Sequence, residues 1–260
     1  MLEFARLAAA SAAPVDAASG RSAGLVVGIA TSAEEVEQAQ RLRYQVFTQD
    51  LGVRFPDARD GLDEDHFDTW CKHLLVRELD SGRVVGTYRV LTPEAARGAG
   101  SYYSESEFDL SGLAPIRSGL VEFGRSCTHA DYRDGAAIML LWSGLAEFLR
   151  RGNYRYVLGC ASVSLRDDGA AAAEVYRKVV SQLDTAMQVT PLHRLPIERL
   201  GEGVSQARIP PLIKGYLKLG AKVCGEPAWD PDFHTADFPM LLSVNSMDAR
   251  YRKRFGLRAI

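Results

Sequence analysis

Leu120-Val-Glu-Phe-Gly-Arg-Ser-Cys127, then the loop His129-Ala-Asp-Tyr-Arg-Asp-Gly135, then a long segment to about Arg151, is the stretch on which the fold turns. Its first part reads as a strand. After Gly135, the residues Ile138, Leu141, Trp142, Leu145, Phe148 and Leu149 recur at helical spacing and form one apolar face. Tyr154-Arg-Tyr-Val-Leu-Gly-Cys-Ala161 reads as a further strand. Strand, helix and strand in succession mark an α/β chain.

The same alternation extends both ways. Upstream, Leu25-Val-Val-Gly-Ile-Ala reads as a strand, and Ser32-Ala-Glu-Glu35 is a capping-box start to a helix. Two strands follow, from His73 and from Arg83 to Leu91, joined by the turn Asp80-Ser-Gly82. An irregular stretch runs through Pro115. Downstream come helices from Ala170 to about Leu183 and from Pro211 to Leu219, then a last strand over Asp237 to Val244. The expected sheet is mixed and mostly antiparallel.

Composition narrows the function classes. A chain of 260 residues buries roughly three-quarters of its unfolded surface and needs no covalent staple. Lys+Arg 31 against Asp+Glu 33 argues against a general nucleic-acid binder. No apolar run approaches the roughly 18 residues of a membrane span. The four cysteines form no C-x-x-C pair and the histidines no H-x-x-x-H pair, so reduced core thiols and no metal are expected. Residues 1–22, rich in Ala, Ser and Gly, read as a tail before a single domain over 23–260.

Several charged residues stand where chemistry is carried. Arg43 shares the apolar face of the first helix with Val36, Ala39, Val46 and Phe47, so it either snorkels or meets a carboxylate. Asp57 to Asp68 holds six carboxylates against one arginine, in spacing unlike a calcium loop. It is either a solvated loop or a dock for a cation. Glu122 and Arg125 share a strand three positions apart, on opposite faces unless Gly124 hosts a bulge. Together with Arg89 they make either a structural ion-pair network or an active site. Arg133-Asp-Gly135-Ala136 opens a helix, where free N–H groups favour phosphate. It resembles, in degenerate form, the pyrophosphate loop of GNAT-type N-acetyltransferases. His129 and Asp134 also fit the H-x-x-x-x-D pattern of glycerolipid O-acyltransferases, with no other element of that family present.

As a set, the segments resemble the bacterial ornithine-acyl carrier protein N-acyltransferases, relatives of the acyl-homoserine-lactone synthases. The residues that carry it include Arg43-Tyr-Gln-Val-Phe47, Asp65-His-Phe-Asp68, Val85-Gly-Thr-Tyr-Arg89, Glu122-Phe-Gly-Arg-Ser-Cys-Thr-His-Ala-Asp-Tyr-Arg133 and Leu141-Trp-Ser-Gly-Leu-Ala146. Phe108 after Tyr102-Tyr-Ser-Glu-Ser-Glu, Gly159-Cys-Ala-Ser162, the run from Ile209 to Ala221 and Asp230-Pro-Asp-Phe-His-Thr-Ala-Asp237 complete it, over about residues 24 to 255. The resemblance implies a three-layer, acetyltransferase-like or autoinducer-synthase-like α/β fold. It implies transfer of a 3-hydroxyacyl chain from acyl carrier protein to the α-amine of L-ornithine, the first step of ornithine lipid synthesis. The donor rides on the carrier's phosphopantetheine, and no permanently bound cofactor is expected.

Carried over position by position, the resemblance makes Glu122 the base, with Arg125 and Arg89 holding the catalytic site. Arg43, Phe47, Asp65 and Asp68 become substrate-binding or site-ordering residues; Arg133, Gly135 and Ala136, from the helix start and its likeness to the GNAT-type loop, are expected to face the phosphopantetheine. A backbone N–H at a Gly124 bulge would serve the tetrahedral oxyanion. The lactone synthases carry a tryptophan shortly after the helical phenylalanine, whereas no tryptophan lies between Phe47 and Phe67 here. That departure argues against S-adenosylmethionine as acceptor. Another amine acceptor, or a non-catalytic carrier-binding module, are the alternatives. Lys214, Lys218 and Lys222, read as a stripe along one helix after Arg208, and the basic C-terminal run with Arg252 and Arg254, would dock the acidic carrier or an anionic inner-membrane surface. The expected location is cytoplasmic or peripheral on that membrane, without nucleic acid as partner.

Overall fold

In the computed structural model, residues 24–55, 60–200 and 209–257 are described. The expected tail 1–22, and Asp57, Arg59 and Arg208, lie outside them. The strands in chain order are β1 (Leu25–Ile29), β2 (Lys72–Glu78), β3 (Val84–Leu91), β4 (Phe108–Asp109), β5 (Leu120–Thr128), β6 (Tyr156–Ser164), β7 (Thr190–Pro191), β8 (Lys222–Val223), β9 (Ala228–Asp230) and β10 (Thr235–Ser243). The helices are α1 (Ala33–Val46), α2 (Pro93–Ala99), α3 (Ala136–Gly152), α4 (Ala170–Val179), α5 (Pro211–Leu219) and α6 (Ala249–Arg254).

The chain divides into two compact units: residues up to Leu91 with Phe123–Gly152, and Thr92–Glu122 with the residues from Asn153 onward. Strand β5 begins in the second and ends in the first.

In the first unit, β1 runs antiparallel to β2 from Leu25↔Glu78 to Ile29↔Leu74, and β2 runs antiparallel to β3. Every residue of β3 is buried, as befits a strand covered on both faces. Ser32 caps α1 by accepting from the Glu35 N–H at 3.3 Å. The Glu35 carboxylate reaches back to the Thr31 N–H at 2.6 Å, closing a capping box displaced by one residue. Helix α1 packs on β3, and α3 packs on β1, β2 and β3. Gly144 lets α3 come close: a Cβ there would stand 2.9 Å from Val27 and 3.1 Å from Leu74. Beyond Val46, the helix widens into a π turn over Phe47–Leu51 that stops at Gly52 (φ 67).

In the second unit, the start of β5 pairs in parallel with β6, Leu120↔Tyr156 through Glu122↔Leu158. Strand β6 runs antiparallel to β10 from Tyr156↔Ser243 to Ser164↔Thr235, and β10 also carries β8 and β9. The alternating helices and mostly antiparallel, mixed pairing match the sequence expectation. Two details differ. The stretch before Pro115 holds α2, capped by Thr92 and opened by Pro93, which is too short to show a repeating apolar face. Helix α5 ends at Leu219 because Gly220 adopts φ 102, so Lys222 lies on β8 and not on a helical stripe.

Candidate functional site

The first unit buries an ionic cluster built from three arginines and three aspartates. Arg43, fully buried on the core face of α1, donates through Nε to Asp63 Oδ2 at 2.8 Å. Its Nη2 donates to both oxygens of Asp68, at 3.0 and 2.9 Å, and to the Asp63 carbonyl. Arg89, from β3, donates through Nη1 to Asp65 at 2.6 Å and lies 3.4 Å from Asp68. Arg125, from β5, donates to Asp65 at 3.2 Å and lies 3.8 Å from Asp63. Three guanidinium groups thus face three carboxylates, and their charge sums to zero.

The acidic loop is shaped for this. Asp65 accepts from the Phe67 N–H at 2.8 Å, while Asp68 accepts from the Asp65 N–H at 2.9 Å, a reciprocal cap on a short 3-10 turn. Phe67 places its ring under the Arg89 guanidinium, 5.9 Å away. Burial opposes ionisation of Asp65, but the Arg89 and Arg125 guanidinium groups outweigh it and hold its carboxyl down at about 2. Burial also lowers the proton affinity of His73, whose Nε2 lies 3.1 Å from the Asp68 carbonyl; the pull of Asp68 does not overcome it. Asp63 and His73 are the members that sequence reasoning missed. The legible signal for Asp63 was Arg43 on an apolar face, which asks for more than one acceptor. Phe47 is buried one turn beyond Arg43.

Glu122 lies in the second unit, 4% exposed. Its Oε2 accepts from the Tyr103 N–H at 2.7 Å, and its Oε1 from the Ser104 N–H at 2.8 Å and from the Ser104 hydroxyl. The turn that presents these groups is anchored by Tyr102, whose hydroxyl donates to the Leu120 carbonyl at 2.7 Å. Ser104 Oγ also lies 3.4 Å from Cys160 Sγ on β6. Along β5 the left-handed residue is Arg125 (φ 49), one beyond the Gly124 at which a bulge was expected.

The remaining expected residues have other partners. Arg133 pairs with Asp50, both exposed, and Gly135 (φ 98) leads into α3. The Asp134 carboxylate accepts from the Ala136 N–H at 3.0 Å, and His129 takes the Asp131 N–H and meets Arg83. His129 and Asp134 therefore serve different partners. Lys214 and Lys218 are exposed on α5, whereas Lys222 pairs with Asp184 at 3.6 Å. Arg254 is exposed, and half-buried Arg252 donates to the Asn245 carbonyl at 3.2 Å. All four cysteines are free thiols. Burial pushes Cys127 and Cys224 up to about 12, the behaviour of core residues. Among the described residues, no helix is long and apolar enough to cross a membrane.

Residues 42–143 match the family described as Acetyltransferase (GNAT) domain. The L-ornithine N(alpha)-acyltransferase of Brucella abortus (strain 2308) is 33% identical over 258 residues, covering 92% of each chain. That of Rhizobium meliloti (strain 1021) is 33% identical over 267 residues, covering 96% of this chain and 90% of its own. Among solved structures, TofI superposes with a TM-score of 0.52 at 14% identity, over 91% of this chain and 98% of its own. The AHL synthase LasI gives 0.51 at 12% identity, over 89% and 94%. At such identities the likeness is one of fold, and that fold is the acetyltransferase-like, autoinducer-synthase-like one expected from the sequence.

Proposed function

This chain belongs to the L-ornithine N(alpha)-acyltransferase family, and we propose that it transfers a 3-hydroxyacyl chain from acyl carrier protein to the α-amine of L-ornithine. The product is lyso-ornithine lipid. The observation that carries the mechanistic part is Glu122: a buried carboxylate fixed in place by two backbone N–H groups and a hydroxyl.

An amine attacks a thioester only when neutral, and reference values are about 8 for an α-amine and about 10.4 for a lysine-like side-chain amine. The difference of roughly 2.4 units makes the α-amine easier to deprotonate by ~3 kcal/mol. Glu122 takes the proton from the α-ammonium, directly or through a water. The neutral nitrogen adds to the thioester carbon, the C–N bond forms, and the C–S bond breaks. The sulfur leaves as the phosphopantetheine thiol, carrying the proton that the nitrogen gives up. No acyl-enzyme is needed, which suits Cys127 as core.

Asp65 and Asp68 are already matched by Arg43, Arg89 and Arg125. Their part is to order the loop and strands that frame the acceptor's site, with Arg43 on α1 and its C-cap Phe47 buried beside them. Arg133, Gly135 and Ala136 receive the phosphopantetheine phosphate at the start of α3, where it competes with the Asp134 carboxylate for the Ala136 N–H. Lys214, Lys218 and Arg254 attract the acidic carrier or an anionic membrane surface. The protein works in the cytoplasm or on the inner membrane, with no permanently bound cofactor.

Thiol release from 3-hydroxyacyl-carrier protein, with ornithine, lysine, glutamine and S-adenosylmethionine as separate acceptors and mass spectrometry of each product, tests this reading. Ornithine alone should give an Nα-acyl product. Glu122→Gln should lower kcat by on the order of 10²–10⁴-fold and remove the acidic limb of its pH profile. Near-normal turnover across pH would remove Glu122 from the base role.

A further inference from the structure

Strands β6 and β10 and the turn after Ser106 bring together three groups that the catalytic scheme leaves unused. Glu107, Cys160 and Asp237 place one ligand atom each within 4.8 Å of one another. Glu107 is 7% exposed, and among the described residues its carboxyl has no hydrogen-bond partner except the Asp237 carboxyl, with which it shares a proton. Asp237 is 5% exposed and accepts from the Thr235 hydroxyl at 2.8 Å. Asp230 adds a third acidic group within electrostatic range. Among the described residues, no lysine or arginine forms an ion pair with Glu107 or Asp237. This differs from the Arg43 cluster, where every carboxylate has its guanidinium.

Two buried carboxyls without a cation must acquire one. In the free protein the cation is a proton. Burial, reinforced by Asp237 and Asp230, pushes Glu107 up to about 10, and burial lifts Asp237 to about 6. Cys160 is raised by burial and by the same carboxyls, so its sulfur stays a thiol. The site also adjoins the candidate base. Ser104 Oγ bonds Glu122 on one side and lies 3.4 Å from Cys160 Sγ on the other.

We propose that Glu107 and Asp237 form the subsite for the side-chain ammonium of a diamino-acid acceptor, holding it while the α-amine is presented to Glu122. The inference rests on the acyltransfer reading above and names how the acceptor is chosen. A primary ammonium has three donors, and two carboxylates with a neighbouring hydroxyl suffice for it. A hard divalent ion takes six to eight oxygens, more than this set supplies. In extended ornithine, five bonds of about 1.5 Å place the two nitrogens roughly 6 Å apart, and Ser104, which bonds Glu122 and lies 3.4 Å from Cys160, links the base to the three-residue cluster. Charge balance fixes the proton: on binding, the ammonium replaces it and Glu107 releases one proton to solvent. The subsite also decides regiochemistry, because the amine held between carboxylates stays protonated and cannot attack.

The test compares L-ornithine with L-norvaline, which has the same carbon chain without the side-chain amine. The wild-type protein should favour ornithine in kcat/KM by on the order of 10²-fold or more. Glu107→Gln and Asp237→Asn should each cut that ratio at least about tenfold, mainly through the KM for ornithine. A wild-type ratio near one overturns the inference without any variant. So does an unchanged ratio in both folded variants, or ornithine turnover that EDTA abolishes and a divalent metal restores. If the wild-type protein acylates no amine at all, the acyltransfer reading itself fails and takes this one with it.

Discussion

Replacing Arg43 by methionine removes a fully buried guanidinium and leaves Arg89 and Arg125 as the guanidinium partners of Asp63, Asp65 and Asp68 among the described residues. That guanidinium holds the Asp63 carboxylate at 2.8 Å and the Asp68 carboxylate at 2.9 and 3.0 Å, and it also donates to the Asp63 carbonyl. Breaking one side of a buried ion pair costs about 3–5 kcal/mol, chiefly because the partner charge is stranded. Arg89, 3.4 Å from Asp68, and Arg125, 3.8 Å from Asp63, still offset part of the stranded charge, which places the expected cost near ~3 kcal/mol. For a chain of this size that corresponds to a fall in Tm of roughly 6–12 °C. Urea unfolding followed by far-UV circular dichroism at pH 7 measures it. The double variant Arg43→Met with Asp68→Asn removes one stranded carboxylate and restores charge balance, so it should regain at least about 1 kcal/mol over the single variant. A single-variant cost below about 1 kcal/mol, or a double variant no more stable than the single, would refute the idea that charge balance holds this cluster together.

Other outcomes follow from the same structure. Asp65 has a folded pKa of about 2 against an ordinary 3.8, so its contribution is full above pH 3.8 and lost as pH falls through about 2. The Asp65→Asn variant should therefore lose roughly 2 kcal/mol at pH 7, and its deficit against wild type should shrink toward nothing as urea midpoints are taken down to about pH 2. Gly144→Ala forces a Cβ to within 2.9 Å of Val27 and should destabilise by about 1–3 kcal/mol, read from the same curves. In native protein at about pH 8, Cys127 and Cys224 should resist a thiol-reactive maleimide until denaturant is added, as mass spectrometry of the labelled peptides will show. Lys214→Glu with Lys218→Glu should raise the KM for acyl-carrier protein about tenfold at low salt and far less at high salt, whereas Lys222→Ala, already paired with Asp184, should change it little.

The sequence by itself determined the alternation of strands and helices, because apolar periodicity is a local property that each segment carries alone. It also marked Arg43 as a charge needing a partner, since the residue's position on a helix face follows from counting. The resemblance picked out Asp65, Asp68, Arg89, Glu122 and Arg125. Only the tertiary structure decided who pairs with whom. Asp63 joins Arg43 across 20 residues and Arg125 reaches Asp65 across 60, separations that no local pattern encodes. The helical stripe of lysines failed for a related reason: Gly220 turns left-handed where a Cβ would stand 2.8 Å from the Ser246 carbonyl, a neighbour that exists only after folding. The pairing of Glu107 with Asp237 was invisible for the same cause. Its meaning lies in two carboxyls meeting across 130 residues of chain with no ion-paired lysine or arginine among the described residues, and electrostatics depends on distance in space, of which the sequence is only the thread.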